Sequence, residues 1–172
     1  MRSLILGGAR SGKSALAERL ALQSGREVVY IATARAGDAE MAERIAHHRA
    51  RRPSHWTSVE EPSALARAMA AHARDERLLL VDCLTLWLSN LLIDDDARSD
   101  AERDALLSAL PQLPGEIVLV SNEVGLGVVP MGELSRRFVD EAGRLHQALA
   151  AQCERVIFVA AGLPLALKGT LA

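Results

Sequence analysis

Apolar residues fall in short, nearly unbroken runs: SLIL at Ser3–Leu6, EVVYIA at Glu27–Ala32, LLLVD at Leu78–Asp82, EIVLVS at Glu116–Ser121 and RVIFVAA at Arg155–Ala161. Continuous hydrophobicity, rather than alternation, is what strands need when a parallel sheet is covered on both faces. Between the runs, helical patterns cover Lys13–Ser24, Asp38–Arg51, Ser63–Arg74, Ala97–Leu110 and Glu133–Gln152. The segment TLWLSNLLID after Asp82 reads as a further helix in preference to an extended connection, and GLPLALKG near the end as an edge strand whose Pro164 limits its ladder bonds. Strand and helix alternate, which predicts an α/β fold with a mostly parallel sheet, right-handed crossovers and helices on both faces. No repeat, linker or low-complexity stretch interrupts the chain, so one domain over residues 1–172 is expected.

Composition narrows the function classes. Hydrophobic residues make up 49% of the chain, ample for one core, and the formal charge is only −2. There is no basic excess to suggest nucleic acid as the main partner. Cys83 and Cys153 stand alone, without the spacing of a zinc site or a disulfide framework. The longest apolar region is broken by Asp82, Ser89 and Asn90, which argues against a membrane span, and LIL after Ser3 is too short for a secretory core. A cytoplasmic location is expected.

The first strand runs into GGARSGKS, residues Gly7, Gly8, Ala9, Arg10, Ser11, Gly12, Lys13 and Ser14, and then into a helix. Strand, G-x-x-x-x-G-K-[S/T] loop and helix together form the phosphate-binding P-loop. Glycines let backbone N–H groups curl around phosphate oxygens, and the helix points its positive dipole end at the same anion. Lys13 can reach the terminal phosphates, and the Ser14 hydroxyl can ligate Mg²⁺. The expected class is therefore a P-loop NTPase domain of RecA-like type. Asp82 ends a strand where P-loop proteins place an acid near Mg²⁺, although a helix-capping carboxylate fits the position too. After the fourth predicted strand, Asn122 and Glu123 would face the ligand crevice at the sheet's carboxyl edge, followed by a loop loosened by Gly125 and Gly127; an ordinary turn explains them equally well.

Two adjacent histidines sit amid arginines in MAERIAHHRARRP, Met41 to Pro53. On a helix, Met41, Ile45 and His48 share one stripe, and Glu40, Arg44, His47 and Arg51 another. His47 with an arginine one turn either side could attack phosphorus, the arginines offsetting phosphate charge and Glu43 orienting the ring. From spacing alone, however, the stripe reads as a solvated charged face.

A resemblance adds to this reading. The segments GGARSGKS, YIATA, DAEMAERIAHHRARRPSHW, VEEP, LLLVDCLTLWLSNLL, LVSNEVGLGVVP and RFVDEAGRLHQALA occur in an order that resembles the bifunctional adenosylcobinamide kinase / adenosylcobinamide-phosphate guanylyltransferase family of cobalamin biosynthesis. It covers nearly the whole chain, and its specific part is RI-x-HH followed by RP-x-HW. The resemblance implies that His47 carries a covalent GMP and that the Gly7–Ser14 loop binds nucleotide phosphates. It extends nucleotide contact to Thr33, Ala34 and Arg35, to His48, Arg49, Ala50 and Arg51, and to Glu60 and Asp82. Asp82 stands where some members carry glutamate, which leaves open whether it meets metal or guanine. His146 stands where some carry asparagine.

The activity so implied is twofold. ATP or GTP would phosphorylate the aminopropanol hydroxyl of adenosylcobinamide with Mg²⁺; GMP from GTP would then pass through His47 to the new phosphate, giving adenosylcobinamide-GDP. A P-loop holds the β- and γ-phosphates, whereas attack at the α-phosphorus requires the histidine helix to move, with Gly37 and Pro53 as hinges. The family resemblance further implies a homo-oligomer, a trimer. Two rivals stand beside this reading: a P-loop kinase for another small hydroxyl compound, without guanylyl transfer, and a non-enzymatic nucleotide switch using Gly125–Pro130 as its moving loop.

Overall fold

The computed structural model describes residues 1–35, 37, 43, 46, 49–50, 52–94 and 96–171. Its frame is a seven-stranded sheet in the order β3-β2-β4-β5-β1-β6-β7. The strands are β1 (Arg2–Gly7), β2 (Glu27–Ala32), β3 (Thr57–Glu60), β4 (Arg77–Asp82), β5 (Glu116–Asn122), β6 (Arg155–Ala160) and β7 (Leu163–Lys168). The first six run parallel, and β7 pairs antiparallel with β6. The helices are α1 (Lys13–Gln23), α2 (Leu65–His72), α3 (Leu84–Asp94), α4 (Asp96–Ala109) and α5 (Glu133–Gln152), with a short 3-10 turn at Leu110–Gln112.

The unbroken apolar runs exist because both sheet faces are covered. Successive residues of a strand point to opposite sides, so Val29 and Ile31 enter one core while Val28 and Tyr30 enter the other. The larger core joins Leu4, Leu79, Val81, Ile117 and Leu119 to Leu65, Met69, Trp87, Leu88, Leu106 and Leu149 of the four helices α2–α5. The smaller core packs Leu16, Ala17 and Ala21 of α1, together with Trp56, on Ile5, Leu80, Val118, Val120 and Ile157. Nearly all of these side chains are below a tenth exposed, and burial of this kind contributes about 25 cal/mol per Å² of apolar surface.

Three features differ from the sequence reading or decide it. The strand β3 was not legible: TSVE is exposed or half-exposed along its length and lies at the sheet edge, held by parallel pairing to β2. The helix expected from Ser63 begins at Leu65, because the Glu61 carboxylate accepts the N–H groups of Ser63 at 3.0 Å and Ala64 at 2.8 Å and holds them in a turn. TLWLSNLLID is helical, and its Trp87 and Asn90 bond the Ser63, Thr33 and Pro62 carbonyls. Of the expected Asp38–Arg51 helix, Glu43, Ala46, Arg49 and Ala50 are described, and each is helical. Among the described residues no helix is long and apolar enough to cross a membrane.

Candidate active site

Parallel strands deliver their carboxyl ends to one edge, and those expected site residues that lie in or just after a strand gather there. Gly7 pairs with Asn122 of β5 and Val159 of β6. Ala32 pairs with Glu60 on one side and Asp82 on the other. Gly7 to Ser14 therefore emerges beside the ends of β5 and β6, with Thr33, Asp82 and Glu60 further along the same edge.

The loop is built on close backbone approach. A Cβ on Gly7 would lie 2.3 Å from the Val159 carbonyl oxygen; Gly12 has φ +99°, and a Cβ there would meet Gly162 Cα at 3.2 Å. Gly162 in turn donates its N–H to the Ser11 carbonyl at 2.8 Å, tying the loop to the β6–β7 turn. Gly12 caps α1, whose first turn contains no acid that would compete with an anion. Lys13 is buried, and its ammonium donates to the Gly8 carbonyl at 2.7 Å, folded back on the loop that leads into α1. Burial lowers its pKa from the ordinary lysine value, with the nearby Cys83 and Asp82 opposing. Ser11 Oγ is buried without a hydrogen-bond partner among the described residues. Such an orphan costs roughly 1–3 kcal/mol, which a polar ligand in the loop would offset. Gly8, Ala9 and Arg10 are half-buried or exposed at the loop's rim, and Ser14 is half-buried in the first turn of α1.

Asp82 is held from the neighbouring strand. Tyr30 donates its hydroxyl to Asp82 Oδ2 at 3.0 Å, and the Arg52 guanidinium lies 3.6 Å from the Tyr30 ring centroid. Burial first, then the Asp82 charge, pushes the Tyr30 pKa far up, so the phenol stays a donor at any working pH. Trp56 stacks beside Tyr30 at 6.5 Å between centroids. Tyr30, Arg52 and Trp56 lie within segments singled out from the sequence, yet only their placement around Asp82 gives them this role.

The other expected contacts divide. Thr33 is fully buried and braces the backbone, its hydroxyl donating to the Cys83 carbonyl at 2.7 Å and accepting the Cys83 N–H at 3.0 Å. Ala34 is half-buried beside it. Arg35 forms a bidentate pair with Asp94 at the end of α3, at 2.8 and 2.7 Å. Exposed Arg49 meets exposed Glu60 at 3.5 Å, so those two do come together, with Ala50 exposed next in the chain. His47, His48 and Arg51 lie outside the described residues. Asn122 and Glu123 do stand at the carboxyl edge: Glu123 donates its N–H to the Gly7 carbonyl at 3.0 Å, and the loop after it exposes Leu126, Val128 and Met131.

Among the described residues no group of three or more His, Cys, Asp or Glu could enclose a metal. Ser14 and Asp82 could still hold Mg²⁺, since this ion takes one or two protein oxygens and fills its shell with water and substrate phosphates. Asp82 spends one carboxylate oxygen on Tyr30, and the donor set is all oxygen, which fits.

A six-stranded parallel core with one antiparallel edge, carrying a glycine loop between β1 and α1, defines a P-loop nucleotide-binding protein of RecA-like architecture. The same fold is seen in a RadB recombinase, with TM-score 0.52 and 16% identity over 91% of this chain and 73% of that one. A Pyrococcus horikoshii OT3 protein shares it as well, with TM-score 0.59 and 8% identity over 98% and 86%. Residues 3–167 match the family model described as cobinamide kinase / cobinamide phosphate guanyltransferase, and the chain belongs to that family. It is 69% identical to the bifunctional adenosylcobalamin biosynthesis protein CobP of Pseudomonas aeruginosa, over 98% of each chain. It is 41% identical to the bifunctional protein CobU of Escherichia coli K12, over 98% of this chain and 100% of the relative.

Proposed function

We propose that the protein phosphorylates the aminopropanol hydroxyl of adenosylcobinamide with ATP or GTP. It then transfers GMP from GTP to the new phosphate, giving adenosylcobinamide-GDP. The observation that carries the first step is the cradle itself: a glycine loop with an unpartnered buried Ser11 hydroxyl and the Lys13 ammonium folded onto it, at the start of α1.

In the kinase step the loop amides and Lys13 hold the β- and γ-phosphates, and the acceptor hydroxyl forms its bond to the γ-phosphorus as the bridging oxygen leaves. Position and charge neutralisation carry most of the rate in such transfers. Ser14 and Asp82 would hold Mg²⁺, which when bound would supply neutralisation of the phosphate charge. Nucleotide contact by Thr33, Ala34, Arg35, Arg49, Ala50 and Glu60 is part of the same proposal. Of these, Thr33 acts through backbone geometry, and Arg35 reaches a phosphate only by leaving Asp94.

In the second step the neutral His47 imidazole bonds to the α-phosphorus of GTP and pyrophosphate leaves. The cobinamide phosphate oxygen then displaces the imidazole. Imidazole suits this role because its ordinary pKa of about 6.5 leaves a large neutral fraction, and the protonated ring is a good leaving group. Nucleotide contact by His48 and Arg51, which follow His47 in the chain, is part of the same proposal. The hinge expected at Gly37 and Pro53 spans residues outside the described ones. The chain works as a homo-oligomer, a trimer, with a neighbouring copy completing the cobinamide pocket.

Incubation with α-labelled GTP and Mg²⁺, followed by denaturation, tests the second step. Acid-labile, alkali-stable label on the protein, absent in His47→Ala, is expected. An active kinase that never takes label refutes guanylyl transfer.

A further inference from the structure

A buried polar chain that no step above uses runs behind the carboxyl end of β5. His146 of α5 and Ser121 of β5 are both buried, and His146 Nε2 lies 2.8 Å from Ser121 Oγ. Ser121 Oγ lies 3.2 Å from Thr85 Oγ1, which accepts the Asn122 N–H at 2.6 Å. On the other side of the ring, His146 Nδ1 faces Glu123 Oε2 at 3.8 Å. The second Glu123 oxygen accepts the Gly125 N–H at 2.6 Å, and the Glu123 N–H donates to Gly7, the first residue of the cradle. One imidazole thus links α3, α5, the end of β5 and the segment beside the phosphate loop.

The charges choose the tautomer. A bare nitrogen lone pair facing the Glu123 carboxylate is repulsive, so the proton belongs on Nδ1, and Nε2 accepts the Ser121 hydroxyl. Burial lowers the His146 pKa, against the pull of Glu123, which keeps the ring neutral and the pattern intact near pH 7.

We propose that His146 is a positioning residue for the phosphoryl-transfer step, presenting Nδ1–H to Glu123 and accepting Ser121 at Nε2, so that Glu123 and the segment after it stay in register with Gly7. This rests on the kinase reading above. The segment leaves the same sheet edge as the cradle, where an acceptor hydroxyl must come in line with the terminal phosphate. A displacement near 1 Å there costs on the order of a hundredfold in rate.

His146→Leu keeps bulk and removes both nitrogens; His146→Asn keeps a donor and an acceptor. His146→Leu and Glu123→Gln are each expected to lower kinase kcat by about ten- to a hundredfold, with nucleotide affinity and GTP-dependent protein labelling unchanged. The double variant is expected to lose no more than the worse single one, as groups acting as one unit do, and His146→Asn to recover most of kcat. Side-chain ¹⁵N shifts test the tautomer without substrate, the His146 signals being those missing in His146→Asn. They should show a protonated Nδ1, moving towards Nε2–H in Glu123→Gln, where Gly125 keeps the amide oxygen and the NH₂ turns to the ring. A bare Nδ1 in the wild type, losses that multiply in the double variant, or a normal kcat in His146→Leu overturns the proposal. If the wild type phosphorylates no cobinamide, the kinase reading fails, while the shifts still decide the tautomer; should His146→Leu not fold, the wild-type and Glu123→Gln spectra decide it.

Discussion

Tyr30 holds Asp82 by a 3.0 Å hydrogen bond from a phenol that burial keeps protonated. The two residues are neighbours because β2 and β4 run parallel with Ala32 opposite Asp82, which brings Tyr30 alongside the strand-end acid from the α1 face of the sheet. Tyr30→Phe should cost about 1.5–3 kcal/mol in urea denaturation, the worth of a bond to a charged acceptor. It should also raise the Mg²⁺ concentration that half-saturates the kinase. An unchanged Mg²⁺ dependence would show that Tyr30 does not orient Asp82 for the ion.

Lys13→Ala should lower kinase kcat/KM by at least about a hundredfold, the scale of losing one preorganised charge contact to the transferring group. Stability should hold, because the lysine is a desolvated charge whose pKa burial already depresses. Lys13→Arg should not rescue, since a planar fork does not replace a point charge in a closed loop. Steady-state kinetics with a melting curve decide; near-normal activity would contradict the cradle assignment.

Two glycines of the loop, Gly8 and Gly12, offer an internal control. Gly12→Ala forces an alanine to φ +99° against Gly162 and should cost about 1–3 kcal/mol together with most nucleotide affinity. Gly8→Ala meets nothing within 4 Å and should leave the melting temperature unchanged. Titration calorimetry and thermal unfolding distinguish the two outcomes.

Stability should fall as pH drops below about 6.5, the ordinary histidine value to which His146 returns when the chain unfolds. Its folded pKa is lowered by burial, more than Glu123 raises it, so below 6.5 the unfolded chain binds the extra proton and gains. The loss levels off once pH passes the folded pKa. Burial pushes Glu61 up, but the Ala64 and Ser63 N–H groups outweigh it and hold the carboxyl below 4.5, so its own loss comes at lower pH. Urea midpoints at pH 7.5 and 5.5 should differ less in His146→Asn than in the wild type; equal differences would remove His146 from the balance.

How far the site could be read in advance depended on how its parts are strung along the chain. The Gly7–Ser14 loop is one contiguous segment between β1 and α1, so its motif and its place in the fold could be read from spacing alone. Asp82 was legible as a strand end, but Tyr30, 52 residues away, was not legible as its partner. Arg35 is expected at the nucleotide; that it lies in a bidentate pair with Asp94, 59 residues on, follows only from the placement of α3 beside the residues after β2 and β3, where Asn90 bonds the Thr33 and Pro62 carbonyls. The edge strand β3 carries no apolar signal because its side chains are mostly exposed, and it owes its form to β2.

Local order along the chain therefore determined the alternation of strands and helices, the two-faced burial and the phosphate loop, because each rests on spacing within a single segment. Tertiary structure alone decided which strand ends became neighbours, and with them the Tyr30–Asp82 bond, the Arg49–Glu60 contact and the His146–Ser121 chain. Hydrogen bonds and charge pairs reach only a few ångströms, so partners distant in sequence acquire meaning only once the sheet order sets their strands side by side.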